Sequence, residues 1–428
     1  MIKIYQRLAQ GAVSFLRLPN CRHCLTKLNY STSNTPASIQ EIIRQKIKAT
    51  GPVPLPHFIK EVLTNPVYGY YTTRDVFGRE GDFVTSPEIS QLFGELIAVW
   101  FINEWAKVGQ PKPFNFVELG PGRGTMMRDM LKVFCKFKLN QSCSVHLIEV
   151  SEVLSNIQAE KLGVTIIPGE EDLPYYKYGK TNDGVEVFWY KSLSKYKYKR
   201  FSLIVAHEFF DALPIHKFKK TEKGWCEVLV DIDRNDPNEK KFRFVLSSGP
   251  TTMSKVFVSP EETRNEIEVN SESILCMGNL ASSMECYGGI ALIIDYGHCG
   301  TKTDTFRAYR NHTQCHPLDH VGDADLTADV DFSSLIRAVY PKLITFGPVT
   351  QQQFLKQMQI DVRLQHLLEK CNDEKIRENL EQGYHTLVDE DKMGSRFHFL
   401  SFFPAVLHKF LNDNPVVGFL NNVTKNEK

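Results

Sequence analysis

Phe116-Val117-Glu118-Leu119-Gly120-Pro121-Gly122-Arg123-Gly124-Thr125 is the stretch on which the reading of the fold turns. An apolar run ends in an acid, three glycines follow at alternate positions, and a helical pattern begins near Thr125. Glycine belongs where backbone must turn tightly and lie against a ligand. The frame is E-x-G-x-G-x-G, so it is not the dinucleotide G-x-G-x-x-G, and an acid ahead of the first glycine is foreign to P-loops. Working outward, short apolar runs at 114–119, 145–150, 164–167, 201–206 and 290–294 read as buried strands, several with helical stretches between them. That alternation is the signature of an α/β parallel sheet, and an open, doubly wound, Rossmann-like architecture is expected.

The glycine frame matches an S-adenosylmethionine loop. Gly120, Gly122 and Gly124 would let the backbone approach the amino acid end of that cofactor, and Glu118 can meet its ammonium. The second strand ends at Glu149, 27 residues after Gly122, where a carboxylate can accept both ribose hydroxyls. The alternative is a plain strand-to-helix turn. Upstream, Gly81-Asp82-Phe83-Val84-Thr85-Ser86-Pro87-Glu88 reads as a loop entering a helix, with Thr85 or Ser86 as cap and Pro87 in the first turn. Asp82, Thr85 and Ser86 either fold over the cofactor as a lid or simply cap the helix, whose apolar face runs from Ile89 to Phe101.

The rest of the chain supplies context. The sequence has 428 residues, 42% hydrophobic and 24% charged, with ten cysteines. That is ordinary globular composition, with thiols too sparse for a disulfide framework and no run long enough for a bilayer-spanning helix. Net charge is +1, yet Lys3, Arg7, Arg17, Arg22 and Lys27 fall in forty residues without an acid, leaving −4 for the remainder. Residues 1–40 therefore read as a mitochondrial transit peptide, a floppy basic tail being the alternative. The near-neutral balance of the remainder argues against a nucleic-acid partner. Residues 41–113 form an N-terminal helical region with the lid. Residues 114–428 form the main domain, carrying an insertion at about 214–289 that includes a hairpin around Asn235-Asp236-Pro237-Asn238. After Ile294 the chain reads as irregular to about Asp331, then helical through 354–368.

Taken together, five motifs give the chain a family resemblance. They are the segment 81–88, Glu118-Leu119-Gly120-Pro121-Gly122, Glu208-Phe209-Phe210-Asp211-Ala212-Leu213-Pro214, Ile294-Asp295-Tyr296-Gly297, and Asp325-Leu326-Thr327-Ala328-Asp329-Val330-Asp331-Phe332. The chain resembles the mitochondrial complex I assembly methyltransferases, the family of mitochondrial dysfunction protein A, over nearly everything after the leader. The resemblance implies a class I methyltransferase of the mitochondrial matrix. It would use S-adenosylmethionine to dimethylate an arginine on a core subunit of respiratory complex I. In two places the chain departs from relatives, with His207 where Asn is frequent and Val321-Gly322 where a glycine turn follows proline.

Within that frame the carboxylates acquire roles. Glu208 follows the apolar run 203–206, at the carboxyl end of a strand, where ligands bind in such sheets. An arginine methyltransferase must hold a cation and aim one nitrogen at the methyl carbon, which paired carboxylates do through bidentate hydrogen bonds. Glu208 and Asp211 are the expected pair. The bland alternatives are a turn cap for Asp211 and a structural salt bridge for Glu208. Asp295 and Tyr296 end the fifth strand and are candidate substrate contacts with His207, a core tyrosine over a capped turn being nearly as good a reading. His298, Cys299, His312, Cys315, His316 and His320 crowd one stretch, but their spacing fits no standard zinc site, so no metal is expected. Two other functions compete with arginine methylation: a non-catalytic chaperone of a complex I subunit that retains the cofactor fold, and a small-molecule methyltransferase.

Overall fold

In the computed structural model, which describes residues 38–73, 75, 85–168, 172–197 and 199–420, the run Phe114–Leu119 is buried at every position. So are Cys143–Ile148 and Ser202–His207, as strands covered on both faces must be. Across the sheet the strand order is 343–350, 397–404, 289–298, 202–207, 114–119, 143–148, 186–190, 177–181, 164–166. The five strands from Gly289–His298 to Glu186–Tyr190 pair in parallel. The two at each end are antiparallel. This is the expected α/β sheet, with its carboxyl edge formed by residues 119–120, 148–149, 207–208 and 295–296. The transit peptide and Asp82 lie outside the described residues, apart from Ser38, Ile39 and Gln40.

Several expectations need correction. Val164–Ile166 is a short, largely exposed antiparallel edge strand rather than a buried parallel one. Its expected place is taken by Glu186–Tyr190, which pairs in parallel with Cys143–Ile148. The C-terminal segment is not wholly helical, because Leu343–Thr350 and Phe397–Pro404 add the antiparallel strands beyond Gly289–His298. The helix expected from Ile89 is broken at Ser90, whose side chain accepts from the Leu92 N–H and starts a separate helix, Gln91–Lys107. Nor is the stretch after Ile294 irregular, since Arg307–Arg310 pairs with both Thr313–Cys315 and Asp325–Thr327. The hairpin is present as Gly224–Ile232 against Phe242–Pro250. Asp236 secures its turn by accepting from the N–H groups of Lys240 and Lys241.

The packing on the two faces of the sheet and a second core beside it position the site. One face of the sheet is covered by the helices Gln91–Lys107 and Thr125–Lys136, and the other by Ser271–Tyr287 and Phe332–Val339. The second core joins the N-terminal helices Ile39–Thr50 and Leu55–Thr64 to the hairpin through Phe58, Val230 and Phe242, and to Leu326 beside the site described below. Val53-Pro54 also pairs with the hairpin, so the two ends of this layer are tied by backbone as well as by side chains. In the main core, fully buried Trp100 meets Phe101, Phe354, Phe403 and Phe419 edge-on or tilted, and its indole N–H donates to the Val417 carbonyl at 2.8 Å. It ties the helix Gln91–Lys107 to the strand Phe397–Pro404, the helix Gln351–Gln357 and the segment around Val417. Trp100→Ala is therefore expected to cost about 3–5 kcal/mol, read as a lower guanidinium midpoint, and an unchanged midpoint would show that this cluster does not hold the layers together.

Candidate active site

Three glycines shape the first wall of the site. Gly120, Gly122 and Gly124 all have left-handed backbone, φ +63°, +53° and +77°, which other residues adopt at a cost. At Gly120 there is also no room, since a Cβ would stand 3.0 Å from the Phe209 ring. The loop runs into the helix Thr125–Lys136, and its Gly122 carbonyl accepts from Gln158 Nε2 at 2.7 Å. The same amide nitrogen donates to Glu149 Oε2 at 3.0 Å, while Glu149 Oε1 accepts from the Ser151 N–H at 2.7 Å. A carboxylate has about four acceptor positions, so Glu149 keeps capacity for two more donors. Gly122, Glu149, Ile148 and Leu154 line a cleft of about 1150 Å³. Behind the loop, Glu118 is buried, and among the described residues nothing hydrogen-bonds its Oε2. Burial, with Glu149 nearby, pushes its carboxyl up to about 8. A bare glycine cradle, an acid with spare acceptors and an orphaned buried carboxylate oxygen fit a cationic, ribose-bearing cofactor.

The second wall is acidic. Glu208 follows its strand in left-handed backbone, φ +49°, and its N–H donates to the Ile294 carbonyl at 3.0 Å. A glutamate held in that conformation is strained by roughly 1–3 kcal/mol, which the surroundings must impose. They do so through Asp295, fully buried, whose Oδ2 accepts from the N–H groups of Phe210 and Asp211 at 3.1 and 3.4 Å and whose Oδ1 accepts from the Tyr296 N–H. Asp211 Oδ2 accepts from the Tyr296 hydroxyl and, at 3.0 Å, from the Thr327 hydroxyl. That leaves Asp211 Oδ1 and Glu208 Oε1 buried and, among the described residues, without a hydrogen-bond partner. Both residues line the cleft. Burial raises both carboxyls, and the neighbouring Asp211 and Asp325 raise Glu208 further. His207 Nε2 stands 3.4 Å from Glu208 Oε1 but is out of hydrogen-bond alignment. Burial pushes the imidazole down to about 3, so the ring is neutral and this approach is not an ion pair.

Comparison with known proteins agrees with that geometry. A family model described as an S-adenosyl-L-methionine-dependent methyltransferase matches residues 96–349. The Drosophila melanogaster protein arginine methyltransferase NDUFAF7 homolog, mitochondrial, is 48% identical over 389 residues, covering 89% of this chain and 88% of the relative. The Homo sapiens protein arginine methyltransferase NDUFAF7, mitochondrial, is 46% identical over 385 residues, covering 88% and 86%. This chain belongs to the NDUFAF7 family of mitochondrial methyltransferases. It is an S-adenosylmethionine-dependent enzyme of the class I fold. A Burkholderia thailandensis structure bound to S-adenosyl-homocysteine shares that fold with a TM-score of 0.70 at 22% identity, covering 86% of this chain and 92% of that one.

The NDUFAF7-family fold brings most of the expected residues together. Gly120, Gly122, Glu149, Thr85, Glu208, Asp211 and Tyr296 line one cleft. Among the described residues, five expected ones are not part of its lining: Glu118 and Gly124 of the glycine loop, and Asp295, His207 and Ser86. Asp295 spends both oxygens on backbone N–H groups, so it supports the turn rather than touching substrate. His207 packs between the rings of Phe93 and Phe397. Ser86 is buried against Gln351 and Met393 instead of facing the cofactor wall. Sequence reasoning missed Tyr71, whose hydroxyl donates to Asp325 at 2.8 Å, and Arg307, whose guanidinium lies 5.3 Å over the Tyr296 ring while bonding Asp329 at 2.7 Å. It also passed over Glu88, which accepts from the Thr125 hydroxyl and meets Lys161, tying the segment 85–88 to the helix that follows the glycine loop. The motif Asp325–Asp331 was the available signal for that part of the wall. Gly122→Val should leave the protein folded and abolish measurable S-adenosylmethionine binding by calorimetry, because branched bulk at φ +53° both strains the loop and fills the cradle. Unchanged affinity would remove the glycine loop from the cofactor site.

Proposed function

We propose that this enzyme methylates, and by repeated transfer dimethylates, an arginine side chain on a core subunit of respiratory complex I in the mitochondrial matrix during assembly of that complex. The observation that carries the arginine reading is the pair of partnerless carboxylate oxygens, Glu208 Oε1 and Asp211 Oδ1, buried on one cleft wall. Leaving such oxygens unpaired costs about 1–3 kcal/mol or more each, and a guanidinium repays that with charge-assisted hydrogen bonds in a fork geometry suited to carboxylates. The relatives named as protein arginine methyltransferases and the basic, acid-free leader support the substrate class and the matrix location.

When bound, S-adenosylmethionine supplies an electrophilic methyl group on a positively charged sulfur; Gly120, Gly122, Glu118 and Glu149 would hold it. The chain's own residues have three tasks. Cofactor and arginine each carry a positive charge, so the cleft must offset their repulsion, and Glu208, Asp211 and Asp325 place acid there. The arginine nitrogen must be oriented, which two carboxylates from a rigid turn accomplish. Finally, the nitrogen sheds a proton as it gains its methyl group, and Glu208 Oε1, raised by burial and like charge, is suited to receive it.

Glu208→Gln preserves shape and removes the charge. It should retain cofactor affinity and lose at least roughly 100-fold in methyl transfer, about 2.7 kcal/mol in the barrier, measured with labelled cofactor and the subunit. Normal turnover in both Glu208→Gln and Asp211→Asn would refute the arginine reading. Tyr296→Phe tests how Asp211 is tuned. The Tyr296 hydroxyl donates to the ionised carboxylate and so lowers a pKa that burial raises. Removing it must raise the Asp211 pKa, and the acid limb of the kcat/KM profile should move to higher pH. A limb that stays put or moves down would show that this hydrogen bond does not govern the ionisation that activity needs.

A further inference from the structure

From Val187 to His207 the sequence contains no Asp or Glu, and within it Lys191, Lys195, Lys197, Lys199 and Arg200 are all exposed. Among the described residues, no carboxylate lies within ion-pair distance of Lys195, Lys197, Lys199 or Arg200. Five cations in ten residues stand out in a chain whose total beyond residue 40 is negative. This segment is also not a loose solvated tail. Tyr196 sits at its centre, 4% exposed, its hydroxyl accepting from Asn115 Nδ2 at 2.6 Å and its ring packed 4.9 Å from His146 beneath it. Lys195 and Lys197 therefore flank an anchored residue. Lys191 is fixed over the Tyr176 ring at 4.1 Å and donates to the Val150 carbonyl.

The segment has a second property that decides what it can serve. Its first residues, Lys191, Ser192, Leu193 and Ser194, line the same cleft as Glu208 and Asp211. One continuous cleft is thus acidic at the turn that follows residue 207 and leads, past Lys191 and its partner Glu152, into a basic loop whose other cations have no carboxylate partner among the described residues. A uniformly basic partner surface would be repelled by the loop, and a uniformly acidic one by the carboxylates. Resting on the arginine reading above, we infer that the loop 191–200 is a docking surface for an acidic stretch of the protein substrate, so that the preferred target is an arginine on a segment with Asp and Glu clustered to one side. Anchoring by Tyr196 keeps the ordering cost of such docking low. Paired exposed charges contribute modestly one by one, and a cluster acts more through orientation and salt-sensitive capture than through any one contact.

The test uses three fluorescent peptides with one central arginine and flanks of four Asp, four Ser or four Lys residues on one side. Binding by anisotropy is measured with the full chain in the presence of S-adenosyl-homocysteine, alongside methyl transfer from labelled S-adenosylmethionine. The expected result is about tenfold tighter binding of the Asp-flanked than the Ser-flanked peptide at low salt, with the difference shrinking as salt rises. In the variant Lys195→Glu/Lys197→Glu/Lys199→Glu the order of Asp and Lys peptides should reverse, while the Ser-flanked peptide and cofactor affinity stay unchanged. Equal binding of the Asp- and Ser-flanked peptides, or the same preference in the triple variant, would overturn the docking surface. So would loss of binding to anionic but not neutral lipid vesicles as the sole effect of the triple variant, since that assigns the loop to a membrane. Charge-ordered binding without any arginine methylation would instead count against the arginine reading and leave the docking surface standing.

Discussion

Three carboxylates, Glu208, Asp211 and Asp295, are packed together at the ends of two adjacent parallel strands, and the site is organised around the cost of that arrangement. Each is raised by burial, and like charge adds to the penalty for Glu208 and Asp295. A fold that only needed a tight turn would have no use for it, because a single capping side chain would satisfy the same N–H groups. What the cluster provides is unspent negative charge in a desolvated place. Asp295 invests its oxygens in backbone and so fixes the turn. Asp211 divides its own between two hydroxyls and the cleft. Glu208, strained at φ +49°, leaves one oxygen wholly uncommitted. The gradient from structural to open carboxylate across the ends of these two strands is what makes the site receptive to a cation.

The surrounding architecture follows from having to hold that cluster still. Parallel strands 202–207 and 289–298 align so that Glu208 and Asp295 emerge beside each other, with Ile294 paired to His207. The third support comes from elsewhere in the chain: Thr327 belongs to a small sheet whose neighbouring strand carries Arg307, and that sheet packs against the N-terminal helices in the second core. Tyr71 reaches the same wall from the N-terminal side. The second core is thus the mount for one side of the acidic wall, which links helices far from the sheet to the cleft.

How far this was readable from sequence depended on whether a residue's role is local. The glycine loop was legible because φ values of +53° to +77° and, at Gly120, a Cβ position 3.0 Å from the Phe209 ring favour glycine. Glu149 and Glu208 were legible because strand ends can be located from apolar runs. Asp295 was placed correctly at its strand end, but the choice between substrate contact and a capped turn stayed open, since nothing in the sequence says that its oxygens face inward to N–H groups. The run Val164-Thr165-Ile166-Ile167 misled because apolar residues were equated with burial, whereas Ile166 is 45% exposed at a sheet edge. Glu186–Tyr190 was passed over although it occupies a buried parallel position. Arg307 escaped, and Asp325 and Thr327 were read only within a motif, without a strand or a role, because their strands are three or four residues long, too short for any periodicity to register. The Tyr71 contact with Asp325 spans 254 residues and has no local signature.

The central claim is that a substrate guanidinium occupies the space between Glu208 Oε1 and Asp211 Oδ1. A crystal structure of the enzyme with S-adenosyl-homocysteine and an arginine-containing fragment of the complex I subunit tests it directly. The account predicts guanidinium nitrogens within hydrogen-bond distance of both oxygens, with the remaining nitrogen directed at the sulfur in the glycine-loop cleft. A guanidinium bound elsewhere, or a different side chain seated between these carboxylates, would contradict it.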